Sequence, residues 1–254
     1  MIDLYTHLLL NVGQGPKSES VFTEMAKQLV DQGITTAVVS PYDEGIGKVY
    51  GQGIKTYVQQ ANELLSSKFI PLHLIAAPEV MASSEIDMHY TDNELITVNE
   101  NSKYLYLRLP PQGFQCDIET LVYDLQLSGF IPVFLHPEKY PSFQENTNSL
   151  YKIAKQGAIL LLDAQSFLGM NSRKTKKVAF QLLDHGLCHA ISSSVTTSTY
   201  RKVSLAKVYD TISYQYGDAL KDTLIENAHA IVSGNSISKD EPERIKKTKF
   251  LGIF

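Results

Sequence analysis

Three residues of this chain have the donor chemistry to share a metal ion: His7, Glu79 and His136. Two imidazoles and a carboxylate are enough to hold zinc in other proteins. Each of the three ends an apolar run: Met1 to His7, Leu72 to Glu79, and Phe130 to His136. Taken singly they have plainer readings. His7 could be a hydrogen-bonded residue at a strand end, and His136 with Pro137 could be turn chemistry. Glu79 needs a partner, because a carboxylate at the end of an apolar strand is costly to bury alone. Their recurrence at equivalent places is what points to one shared site.

Other catalytic chemistries find little support. Neither Cys116 nor Cys188 is followed by the arginine-ended loop of a cysteine-dependent phosphatase. There is no G-x-S-x-G elbow and no G-x-x-x-x-G-K-[ST] phosphate loop.

The elements that must position these residues can be read from periodicity. Apolar, β-rich runs fall at Ile2–His7, Thr35–Ser40, Leu72–Glu79, Tyr104–Leu109, Ile131–His136, Ala158–Asp163 and Cys188–Ser193. Their polar ends recur about every 30 residues, the length of one strand-helix unit. Between them run amphipathic stripes: Phe22, Met25, Ala26 and Leu29; Ile54, Val58, Ala61 and Leu65; Ile118, Leu121, Val122 and Leu125; Leu205, Val208, Tyr209 and Ile212. Gly33, Gly129 and Gly217 follow three of these stripes as helix stops. Strands such as AILLLD, apolar throughout, suit a parallel sheet covered on both faces. The expected fold is α/β, a closed or nearly closed β/α barrel, with an open doubly wound sheet as the other arrangement. Either fold puts its chemistry at the C-terminal ends of the strands.

At 254 residues and 43% hydrophobic, the chain suits one large α/β domain. A net charge of −4 gives no reason to expect nucleic acid or an anionic membrane as partner. No apolar run approaches a membrane span, and MIDLYTHLLL lacks a basic leader, so a soluble cytoplasmic protein is expected. Two cysteines without metal-type spacing fit that reducing setting. The barrel is expected over residues 1–235. From Ser236 the sequence becomes charged and proline-punctuated, ending in the apolar LGIF. Residues 236–254 read as a solvated tail with a docked end, or as a partner-binding arm.

Several segments carry a family resemblance. MIDLYTH matches an opening M-I-D-x-H-x-H. YDLQLSGFIPVFLHPEKY, residues 123–140, matches a block that ends in HPER. KQGAILLLDAQSFLGMNSRKTKKVAFQLLDHGL, residues 155–187, matches a third block. On these segments the chain resembles the CpsB/CapC-type tyrosine-protein phosphatases of the PHP (polymerase and histidinol phosphatase) superfamily. The similarity runs over nearly its whole length, to the terminal KFLGIF. The resemblance implies a distorted (β/α)7 TIM-like barrel, the PHP domain, with a three-metal centre usually loaded with Mn²⁺. It implies hydrolysis of phosphotyrosine by a metal-activated water. The implied partner is a bacterial tyrosine kinase of capsule or exopolysaccharide assembly, or that kinase's phosphotyrosine tail. It also leaves room for a homo-oligomer.

Carried across residue by residue, the ligand set is incomplete. His7, Glu79 and His136 keep ligand identities. Tyr5 replaces the first histidine of the opening pair, and Tyr42 a histidine after the second strand. Arg108 stands for a glutamate, while Ser194 and Thr196 stand for the aspartate and histidine of a closing S-D-A-H. Lys139 replaces the HPER arginine, keeping charge and losing the bidentate fork. Several divalent cations need several carboxylates, and Arg108 would put a permanent cation among them. At most one metal ion, on His7, Glu79 and His136, is therefore expected.

Two functions follow as expectations. The first is a degenerate phosphatase, impaired in catalysis, that regulates or binds phosphate through Arg108, Lys139 and Arg201. Arg108 could instead simply pair with Glu79 or Asp163 and fill the vacated site. The alternative is an active Mn²⁺-dependent protein-tyrosine phosphatase with a reduced metal site. A purely structural oligomer subunit is a third class.

Overall fold

The computed structural model describes residues 1–41, 52–82, 97–100, 102–110 and 117–246. Its strands are β1 (Ile2–Thr6), β2 (Thr36–Val39), β3 (His73–Ala76), β4 (Val80–Met81), β5 (Tyr104–Arg108), β6 (Ile131–Leu135), β7 (Ile159–Asp163) and β8 (Ala190–Ser192). The helices are α1 (Glu19–Val30), α2 (Gln52–Ser67), α3 (Ile118–Leu127), α4 (Pro141–Glu145), α5 (Thr147–Gln156), α6 (Ala164–Phe167), α7 (Arg173–Asp184), α8 (Leu205–Tyr216) and α9 (Asp218–Val232). A 3₁₀ turn spans Pro137–Lys139.

All strand pairs are parallel, in two runs ordered β1-β2-β3 and β4-β5-β6-β7-β8. A Thr6–Val195 bridge joins β1 to the segment after β8, with the Ser194 N–H donating to Tyr5 O at 3.0 Å. These contacts bring the two runs together as a distorted β/α barrel. The other junction lies between β3 and β4. The apolar run 72–79 was expected to form one strand, but Pro78 has no N–H to give a ladder, and β3 stops at Ala76. The Asn62 side chain stands in for a neighbouring strand there. Its amide donates to Leu74 O and accepts from Leu74 N, both at 2.8 Å.

The strand side chains sort by alternation. Leu105, Leu107, Phe134, Leu160 and Leu162 pack outward with the helical stripes. Tyr104, Tyr106, Val133, Leu135, Ile159 and Leu161 fill the barrel interior. β1 breaks the rule. Asp3 pairs with Ala37 and Thr6 with Val39, so β1 carries one extra residue in that interval. That irregularity lets Leu4 and the adjacent Tyr5 both join the interior cluster.

Residues 236–246 are tethered across the opposite, N-terminal ends of the strands. Asn227, buried at the inner side of α9, donates to Ser238 O at 2.8 Å and His189 O at 2.9 Å, and accepts from Ser238 N at 2.8 Å. Glu243 N donates to His185 O at 2.9 Å, and Arg244 lies over the Tyr151 ring at 4.9 Å. The expected docked end, LGIF, lies outside the described residues. No described helix is long and apolar enough to cross a membrane.

Candidate functional site

The C-terminal strand ends supply one polar cluster. β1 provides Tyr5 and, just beyond it, His7; the β3–β4 junction provides Glu79; β5 ends in Arg108. β6 leads into His136, the 3₁₀ turn carries Glu138 and Lys139, and β7 ends in Asp163. Ser192 and Ser194 come from the end of β8 and the residues after it.

Tyr5 sits among all three expected metal ligands. Its hydroxyl donates to the Glu79 carboxylate. Its ring meets His7 edge-on, with centroids 5.2 Å apart, and His136 likewise at 4.8 Å. Burial, and then the neighbouring Glu79 charge, push the Tyr5 phenol well above its ordinary range, so it remains a donor. Arg108 Nη1 lies 3.7 Å from the second carboxylate oxygen of Glu79. Glu79 is only 2% exposed, and burial raises it to about 7 against the opposing pull of Tyr5 and Arg108.

His136 adopts a left-handed backbone, φ 51° and ψ 47°, that costs a non-glycine residue about 1–2 kcal/mol. Its Nε2 lies 3.1 Å from Ser192 Oγ and 3.0 Å from Ser194 Oγ. Burial pushes its imidazole well below the usual range, helped by the Lys139 charge. His7 falls to about 4, through burial and then the charges of Arg108 and Lys139. Both rings are therefore neutral at pH 7.

A second acid–base pair lies beside the first. Lys139 forms an ion pair with Asp163, a residue with no solvent exposure. The other Asp163 oxygen accepts from Gln165 N at 2.7 Å, capping α6. Burial nonetheless raises the Asp163 carboxyl, against the pull of Lys139. Glu138 lies beneath, accepting from Ser166 Oγ at 2.7 Å and Asp163 N at 3.0 Å, and burial raises it to about 7. Asp3 accepts from Ser193 N at 2.9 Å and is raised by burial to about 6.

The structure thus brings His7, Glu79, Arg108, His136 and Lys139 into one cluster, and Arg108 pairs with Glu79. Arg201 goes elsewhere. Its guanidinium forms a two-point pair with Glu24 of α1, at 3.1 and 3.0 Å, on the surface. Val195 and Thr196 serve the backbone, in the bridge to Thr6 and in a turn closed on Thr199. Tyr42 lies outside the described residues. Sequence reasoning passed over Asp163 as the partner of Lys139, although a lone aspartate ending AILLLD was a visible signal. Ser194 was marked only as the stand-in for a ligand aspartate, and Ser192 had no signal at all; their contact with His136 depends on strands far apart in sequence.

The donors among the described residues do not fit a centre of several cations. Both Glu79 oxygens face protein partners, and His136 Nε2 faces two serine hydroxyls. Among the described residues, no three or more His, Cys, Asp or Glu side chains are grouped to hold a metal ion.

A parallel α/β barrel with histidines and carboxylates gathered at its C-terminal strand ends fits the class that the resemblance implied, a PHP-type phosphatase scaffold. The model of the family described as "Capsular polysaccharide synthesis, CpsB/CapC" matches residues 1–233, and the chain belongs to that family. It is 28% identical to the tyrosine-protein phosphatase YwqE of Bacillus subtilis over the full length of both chains. It is 22% identical to the tyrosine-protein phosphatase CpsB of Streptococcus pneumoniae, with 91% of this chain and 98% of that one aligned. A solved structure from work on YwqE and CpsB, described as metal-dependent tyrosine phosphatases, superposes with a TM-score of 0.91. The superposition covers 97% of this chain and 100% of that one, at 27% identity.

Proposed function

We propose that this chain is a catalytically impaired member of the family that binds a phosphotyrosine-bearing segment and regulates polysaccharide assembly. The observation that carries this reading is the position of Tyr5. A phenol that touches His7 and His136 and donates to Glu79 occupies the ground between all three residual ligands. Arg108 supports the same reading, because its fixed charge balances Glu79 where a metal would otherwise have to.

Arg108 and Lys139 also suggest what the site does instead. Their side chains are 28% and 32% exposed, whereas Glu79 and Asp163 beneath them are 2% and 0% exposed. Cations therefore face the opening and carboxylates the floor. An incoming phosphate meets two cationic donors, with both histidines neutral. By resemblance, the segment belongs to a bacterial tyrosine kinase of polysaccharide assembly, and this chain would meet it in the cytoplasm. Any metal retained would be a single ion on His7, Glu79 and His136, with Mn²⁺ the ion to try first.

The test is turnover of a phosphotyrosyl peptide with and without Mn²⁺, using His136→Ala as the contamination control. The expected result is no turnover above the control, with the phosphopeptide binding more tightly than its unphosphorylated form. Mn²⁺-dependent turnover that His136→Ala abolishes would establish an active phosphatase with a reduced site.

A further inference from the structure

A cavity opens on the same end of the barrel as the polar cluster. Its walls are the loop after β1 and the loop after β8, the two segments joined by the Thr6–Val195 bridge. It encloses about 570 Å³, and its lining includes Lys17, Ser18, Thr197, Ser198, Arg201 and Lys202. Three cations on one cavity stand out in a chain of net charge −4.

Glu24 balances Arg201, and the local carboxylates leave Lys17 and Lys202 unbalanced. Glu19 lies 3.6 Å from Lys68. Lys17 donates to Gly13 O at 3.1 Å, and neither Lys17 nor Lys202 forms an ion pair among the described residues. The end of α1 is already capped, since Ser18 accepts from Val21 N at 3.4 Å.

The geometry selects an extended ligand over a lone phosphate. The hydroxyls of Thr196, Ser198 and Thr199 bond one another at 2.9 and 3.1 Å, so they form a turn and not a converging ring of donors. The cations are spread over both walls on long stems, and Val21 and Tyr200 add apolar surface between them. Compact ammonium groups on flexible stems suit carboxylates distributed along a chain.

Building on the phosphotyrosine-binding reading of the neighbouring cluster, we propose that this cavity docks acidic residues flanking the phosphotyrosine of the partner polypeptide. The cluster reads the phosphate, and the cavity reads its acidic neighbours. Each exposed pair contributes little, so the expected preference for acidic over neutral flanks is about fivefold, lost at high salt.

Four labelled peptides separate the two readings: phosphotyrosine or tyrosine, each with Asp/Glu or Asn/Gln flanks. Binding is followed by fluorescence anisotropy at low and at about 0.3 M salt. The expected result is tighter binding of acidic flanks in both the phosphorylated and unphosphorylated pairs. Lys17→Glu with Lys202→Glu should remove that preference, and Lys17→Gln with Lys202→Gln should reduce it, while thermal melting confirms folding. Equal affinity for acidic and neutral flanks overturns the cavity's role, whatever the phosphate does. A flank preference without a phosphate preference overturns the reading of the cluster and leaves the cavity standing. A polyuronate that binds more tightly than the acidic peptides, with the same dependence on Lys17 and Lys202, would make the cavity a polysaccharide surface and displace this assignment.

Discussion

Tyr5 and Glu79 are joined by a hydrogen bond inside the barrel, from the end of β1 to the junction beyond β3. The bond gives Glu79 a neutral donor on one oxygen, while Arg108 faces the other. Tyr5 and Arg108 therefore act on the same carboxylate. Glu79 is kept in place by protein groups.

Tyr5→Phe tests this bond. It removes the hydroxyl and keeps the ring against His7 and His136, leaving a buried carboxylate oxygen without that donor. The expected destabilisation is about 1–3 kcal/mol. Its pH dependence follows from Glu79, which burial raises to about 7. An acid whose folded pKa lies above its unfolded value loses stabilisation as pH rises through the folded value. The Tyr5 bond opposes that rise, so Tyr5→Phe shifts Glu79 higher. The gap between wild type and variant should widen from pH 6 to pH 8 in urea unfolding. A gap independent of pH would show that Glu79 does not depend on Tyr5.

If the proposed function holds, supplying the ligand types that the resemblance implies should create metal affinity. Tyr5→His with Arg108→Glu exchanges a phenol and a fixed cation for an imidazole and a carboxylate beside His7, Glu79 and His136. Mn²⁺ should then raise the melting temperature of the double variant and leave wild type unchanged. At a hundredfold excess over Kd the gain is about 2.7 kcal/mol. Differential scanning calorimetry with a chelator control reads the difference. An equal response of both proteins to Mn²⁺ would mean that Tyr5 and Arg108 do not exclude the ion.

Lys139 and Asp163 should behave as a coupled pair. Asp163 has no exposure, so Lys139→Met leaves its carboxylate buried beside Glu138. Lys139 is itself a third exposed, so the loss should be about 1–3 kcal/mol, below that of a fully buried pair. Adding Asp163→Asn should recover part of it, because the amide oxygen can still cap Gln165 N. A double-mutant cycle in urea gives the coupling. Additive losses would reduce the pair to a surface contact.

Much of this arrangement was legible before any coordinates. Four helical stripes predicted from spacing are the faces that pack inward, and the apolar runs are the strands. His7, Glu79 and His136 each reach Tyr5, because strand ends in a parallel barrel converge. The position of Tyr5 was not legible. Simple alternation from Ile2 and Leu4 sends it to the outer face, and only the extra residue in β1 turns it inward. Nor was the break after Ala76, where an apolar pattern continues through Pro78 although the hydrogen-bond ladder cannot. Arg201 misled for a related reason: sequence shows a guanidinium near a loop of the site, and the fold gives it to Glu24.

His189 offers a pH signature of the fold itself, at the end of the barrel opposite the polar cluster. Its Nδ1 accepts the Leu160 N–H at 2.9 Å, which requires a neutral ring, and burial followed by the Lys239 charge lowers it to about 3. Unfolded, the same imidazole titrates near 6.5. Between these values the unfolded chain holds the extra proton, so stability falls as pH drops from about 6.5 towards 3. One such group contributes a slope of at most about 1.4 kcal/mol per pH unit. His7 and His136 act in the same direction, and Asp3, Glu79, Glu138 and Asp163 oppose them, but all six persist in a His189→Asn variant. Subtracting the two stability curves between pH 6 and pH 4 therefore isolates His189. The wild-type curve should be steeper by close to one proton. Parallel curves would mean that the Leu160 amide tolerates a charged ring and that the barrel's acid sensitivity originates elsewhere.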